Sequence, residues 1–152
     1  MQPGCAASRP ARNDRGDGHM DRQLYTSLAN RASDLVVAGE RLEAIEVLEE
    51  LVRSDLPDFD RAMMCMNIAI IHHQLGDPDK ALETYARAVD LEQATDSYFV
   101  AQSRAAYCSE LGMYEESMRA YEALLHHEHL KPEDRDVFAQ NIATLERLEK
   151  AR

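Results

Sequence analysis

Glycine and proline are scarce in this 152-residue chain: six and five residues, about 7% together against about 12% in average usage. Turns are correspondingly few. β-Branched residues are thin as well, with Val, Ile and Thr totalling 16 against 21 Ala, 16 Leu and 15 Glu. Strong helix formers prevail, which excludes an all-β fold and argues against a parallel α/β sheet. No apolar run approaches the roughly 18 residues of a membrane span. The first 20 residues carry Arg9, Arg12, Asp14, Arg15 and Asp17 where a signal peptide would have its apolar core. Cys5 likewise has no apolar run before it, so lipidation there is not expected. Three cysteines make an odd count without a secretory signal, favouring reduced thiols and a cytoplasmic address.

Positive charge is also in short supply. The net charge is -11, and residues 23–152 hold 13 basic against 25 acidic side chains. Nucleic acid and anionic membranes bind clustered Lys and Arg, so neither is an expected partner. A protein or peptide of apolar and basic character suits this surface better.

What is present is a period. Residues 1–22 concentrate three glycines and two prolines with few large apolar groups, the composition of a disordered tail, and GHM at 18–20 has the look of an expression scar. The other three glycines stand at 39, 76 and 112, spaced by 37 and 36 residues. Each follows one stretch of helical periodicity and precedes another. Around Gly76, Ile68, Ile71 and Leu75 recur at helical spacing before the turn, and Ala81, Leu82, Tyr85, Ala88 and Val89 after it. Gly76 suits the left-handed end of one helix, Asp77 caps the next, and Pro78 fits its first position. The same frame predicts helix pairs at 23–38 with 42–54, 60–75 with 78–91, and 97–111 with 115–128. A seventh helix runs from Pro132 to about 150.

These residues resemble the tetratricopeptide repeat. Its small residue followed four positions later by an aromatic is matched by Ala81 and Tyr85, by Ser117 and Tyr121, and less closely by Ala44 and Leu48. Its small residue on first helices is matched by Ala32, Ala69 and Ala105. The usual early Trp position holds Leu28, Cys65 and Ala101, and the period exceeds 34, with the extra residues falling in the connections SDLPDFD and EQATDS. The resemblance implies an all-α fold, a right-handed α-α superhelix of three repeats (about 25–58, 62–95 and 98–131) with a capping helix at about 133–150. Phe138, Ile142, Leu145 and Leu148 form the stripe by which that helix would cover the last repeat.

The resemblance also implies a noncatalytic module that holds a partner peptide or helix in a concave groove lined by first helices. Carried over position by position, the groove comprises Val36 and Val37, Met63, Met66, Asn67 and Ile70, and Phe99 and Gln102. The same carry-over adds Thr26, Ala29, Asn30 and Ser33, His73 and Gln74, Ser103, Ala106 and Glu110, with Val137 and Gln140 of the last helix. The Met and Phe residues have a second reading as core. Family members that clamp acidic C-termini place Lys, Asn and Arg at positions held here by Ala29, Ser33, Asn67, Phe99 and Ser103; only Asn67 fits, so no such clamp is expected. Three-repeat acidic chains also resemble the cytoplasmic chaperones of type III secretion translocators, and a homo-oligomeric scaffold is a further alternative.

No Gly-rich phosphate loop, nucleophile elbow or zinc-finger Cys pair is present, so neither catalysis nor a cofactor is expected. Cys65 and Cys108 fall on inward stripes and read as structural. His72 falls on the core stripe, while His73 points elsewhere. His126 and His129 sit at i,i+3 spacing near a helix end, a spacing that metal ligands use, but a capping role accounts for them and no metal site is assigned.

Overall fold

The computed structural model describes residues 21–152. The expected tail, with Cys5 and the GHM tripeptide, lies almost wholly outside the described residues. Seven helices follow in order: α1 (Arg22–Val37), α2 (Arg41–Val52), α3 (Asp58–Gln74), α4 (Pro78–Glu92), α5 (Phe99–Glu110), α6 (Tyr114–Leu125) and α7 (Pro132–Lys150). No strand occurs among the described residues. Each helix packs on the next, and α3 also touches α5, the first-helix stacking of an α-α superhelical repeat fold.

The glycine turns share one geometry. Gly39, Gly76 and Gly112 have φ of 80°, 79° and 75°, a conformation that costs other residues strain. At each, the residue after glycine donates its N–H back to the helix, Glu40 to Leu35, Asp77 to His72 and Met113 to Cys108, at 2.8–2.9 Å. The glycine itself donates to the residue three before it. This paired closure satisfies carbonyls that a helix end would leave orphaned. After Gly76, the Asp77 carboxylate accepts from Lys80 N at 3.1 Å.

Small residues let the helices close. Ala32, Ala69 and Ala105 are buried, as are Ala44, Ala81 and Ser117 on the second helices. Ser117 Oγ donates to Ala105 O at 2.7 Å, so its hydroxyl is satisfied inside the interface. The buried side chains form two clusters. One runs from Leu28 to Tyr107 through α1–α5; the other joins Tyr98, Ala105, Tyr121, Leu124, Phe138 and Leu145. Phe138 and Leu145 of α7 cover the third helix pair, with Phe138 5.5 Å from the Tyr121 ring.

Cys65 and Cys108 are free and buried. Burial pushes the Cys65 thiol from 9.0 up to about 11, and raises Cys108 also. At pH 8 the thiolate fraction of Cys65 is therefore on the order of one in a thousand. Peptide-resolved alkylation at that pH should label neither residue in the native protein and both in urea. Because folding favours the protonated thiol, this contribution is intact below pH 9 and fades as the pH climbs towards 11. Rapid native labelling of Cys65 would contradict its burial.

Candidate functional site

Residues on α1, α3, α5 and α7 form a chain of clefts. The first, about 300 Å³, lies between α1 and α3; Ala29, Ser33, Val36 and Val37 face Met64, Asn67, Ile70 and Gln74 across it. The second, about 330 Å³, lies between α3 and α5, where Ile70 and His73 face Ser103, Ala106 and Glu110 over Tyr85 and Tyr107. Ile70 belongs to both. A smaller one continues from Ala106 and Ser109 to Asn141, Thr144 and Leu148 of α7. Separately, Phe99 and Gln102 line a fourth with Asp96, His129, Lys131 and Asp134.

The helix starts set this geometry. Arg61 Nε donates to Val52 O at 2.7 Å and its Nη1 meets Asp58 at 3.2 Å, which ties the start of α3 to the end of α2. The start of α5 is held differently. Glu92, buried at 2% exposure, accepts from Val100 N at 2.6 Å, Ala101 N at 3.0 Å and Ser97 Oγ at 3.1 Å. Phe99 N donates to Ser97 Oγ and Gln102 N to Tyr98 O, so the first four N–H groups of α5 all have partners. Tyr98 Oη accepts from Lys131 N at 3.2 Å and donates to Asp134, joining α5 to α7.

Within the second cleft, His73 Nδ1 and Tyr107 Oη stand 3.0 Å apart with their rings edge-to-face, and Tyr107 lies against Tyr85. Burial, with Glu110 alongside, raises both phenols and keeps them protonated. The cleft is thus a fixed aromatic floor with hydrogen-bonding atoms above it. It is equipped to hold a chain, with apolar pockets for side chains and Asn67, Gln74, Gln102 and Ser103 for polar groups.

The structure separates the residues singled out in the sequence. Val36, Val37, Asn67 and Ile70 share the first cleft, with Val37 86% and Ile70 38% exposed. Phe99, 50% exposed, and Gln102 lie in the fourth. Met66 is corrected: at 6% exposure it belongs to the main core. Met63 packs against that core and lines none of these clefts, and the methionine that does face α1 is Met64. Of the two adjacent histidines, His73 has the defined partner. The helix expected over 115–128 ends at Leu125, so His126 and His129 do not share a helical face. His126 is the C-cap, while His129 pairs with Asp96 at 3.0 Å and its N–H donates to His127 Nδ1. No group of three His, Cys, Asp or Glu at metal-binding spacing exists among the described residues, and no described helix is long and apolar enough to cross a membrane.

Residues 62–95, spanning α3 after its first turn and all of α4, match the family model of the tetratricopeptide repeat. This part of the chain is a tetratricopeptide repeat. Among curated relatives, a photosystem I assembly protein Ycf3 of Prochlorococcus marinus (strain MIT 9313) is 33% identical over 90 residues, covering 56% of this chain and 52% of that protein. Proteins of the same name from Rippkaea orientalis and Cyanophora paradoxa are each 42% identical over 53 residues, covering 35% of this chain and 31% of theirs. The chain thus spans about half the length of the first relative and less than a third of the other two. The matched repeat is the one in which Ala69, Ala81 and Tyr85 are all buried. It also contributes Met64, Asn67 and Ile70 to the clefts, so the tetratricopeptide repeat forms the middle of the candidate groove.

Proposed function

We propose that this chain is a noncatalytic protein-interaction module that grips an extended or helical segment of a partner in the groove along α1, α3, α5 and α7. The observation that carries the proposal is continuity: the first two clefts share Ile70 and the next shares Ala106. A segment crossing them meets apolar floor near α1 and the acidic Glu110 at α5. Apolar side chains followed by basic ones fit that order. The groove positions Ala29, Ser33, Asn67, Phe99 and Ser103 supply no cation, so an acidic terminus is not its ligand. A cytoplasmic setting accords with the reduced, buried thiols.

A second reading, favoured by likeness to photosystem I assembly proteins, is that the partner is a subunit held during the assembly of a larger complex.

Both readings meet one test. Ile70→Glu places a charge where the two clefts join, at a half-exposed site, so the melting temperature should stay within about 2 °C of wild type. Affinity capture with mass spectrometry, run in parallel on wild type and variant, should lose its specific partner in the variant. Equal capture by both would refute the groove. Sedimentation of the same samples reports on homo-oligomers, which would replace a foreign partner if Ile70→Glu dissociated them.

A further inference from the structure

A separate cavity of about 240 Å³ opens between α4, α5 and α6. It lies on the face of α5 that presents Ala101 and Arg104, turned away from the groove residues Phe99, Ser103 and Ala106. Its walls are largely apolar, with Val89 of α4, Ala101 of α5, and Ala123 and Leu124 of α6. Three of the polar groups that line it, with Gln93 and Ser97 beside them, differ in state. The Glu92 carboxylate is engaged by Ser97, Val100 and Ala101 at the start of α5. His127 lies on the Tyr98 ring, 5.0 Å between centroids, and its Nδ1 accepts from His129 N, which leaves the proton of the neutral ring on Nε2 as a donor. Arg104 has no hydrogen bond or ion pair among the described residues, and its Nε is shielded from water without a partner.

A shielded guanidinium N–H with no acceptor is costly, and native structures rarely leave one without a reason. The strongest complement to a guanidinium is a carboxylate, to which it donates more than one hydrogen bond. We propose that this cavity is a second binding site, independent of the groove, for the C-terminal residue of a partner chain: the α-carboxylate pairs with Arg104 and His127 Nε2, and an aliphatic side chain fills the apolar walls. A terminal residue carries its carboxylate and its side chain on one Cα, so both fit a space of this volume. An internal Asp or Glu would bring the charge at its tip and leave the apolar wall uncovered.

The test titrates the full chain with acetyl-Gly-Val, acetyl-Gly-Leu and acetyl-Gly-Phe, each as free acid and as amide, by NMR or calorimetry. At least one acid should bind roughly tenfold or more tightly than its amide, the worth of one charge-assisted hydrogen bond. Arg104→Met keeps an apolar stem of similar reach and should abolish the preference. Ala123→Leu fills the mouth from an exposed α6 position and should abolish binding while the fold persists, which keeps the test decisive if Arg104→Met fails to fold. Equal affinity of acid and amide, no binding by any acid up to about 10 mM, or wild-type binding in Ala123→Leu would each overturn the proposal. Isovalerate alone, binding as tightly as acetyl-Gly-Leu, would overturn the assignment to a chain terminus in favour of a free small acid.

Discussion

Replacing Glu92 with alanine is expected to cost about 3 kcal/mol of stability, read as a fall in melting temperature of about 10 °C. The side chain is almost fully buried and serves as the N-terminal cap of α5, although it stands on α4, seven residues before that helix begins. Its two oxygens accept from two backbone N–H groups and one hydroxyl. The α5 N-cap residue, Tyr98, makes no side-chain capping bond of its own. Hydrogen bonds to a charged group contribute about 1.5–3 kcal/mol each, while losses within one network are not additive, so the total falls well below three times that figure. Glu92→Gln retains one acceptor oxygen and turns an NH₂ towards donors, so it should cost about half as much. Thermal unfolding of both variants by circular dichroism decides the matter. A Glu92→Ala protein melting within about 2 °C of wild type would show that α5 is held by other contacts.

That cap also marks the boundary of what could be read from the chain. The turns were legible because each rests on one local event, a glycine at positive φ closing a helix, repeated at a fixed period. Asp77 and Pro78 were legible for the same reason, since capping by a neighbour is written in adjacent residues. Glu92 reaches across a loop to residues eight and nine positions on, a distance at which no sequence pattern specifies the partner. SDLPDFD and EQATDS were expected in connections; residues 54–57 and 93–97 do lie there, while Asp58, Phe59 and Asp60 open α3 and Glu92 closes α4. What these segments do, Asp58 holding Arg61 and Thr95 and Ser97 bracing Glu92, depends on loop geometry.

The groove was legible by helix and only partly by residue. On α3 the run Ala62 to Met66 is apolar without interruption, so periodicity alone cannot say which of its three methionines faces the core. The helix touches α2, α4 and α5 and also lines the cleft beside α1, and these demands leave almost no purely solvent face on its middle turns. Met66 takes the interior and Met64 the cleft. Polar residues gave a firmer signal: Asn67 stands among apolar neighbours and lies on the cleft. The pairing of His73 with Tyr107 joins residues 34 apart, and it becomes visible only once two repeats are superposed in phase.

The separation of core from groove yields the other large expected effect. Met66→Glu should destabilise the protein by about 4 kcal/mol or more, because a carboxylate at a site only 6% exposed is either buried without a partner or forces the core open. Met66→Leu nearly conserves volume and should cost less than about 1.5 kcal/mol, which isolates charge from shape. Phe99→Glu provides the contrast: at 50% exposure on the rim of a cleft, its charge stays hydrated and the change should fall within about 0.5 kcal/mol. Urea unfolding of the three variants measures the differences directly, with an unchanged m-value indicating that only stability has moved. Near wild-type stability for Met66→Glu, combined with loss of partner binding, would return Met66 to the groove. Equal, large destabilisation by Met66→Glu and Phe99→Glu would instead put Phe99 in the core and remove it from the α5 rim of the proposed site.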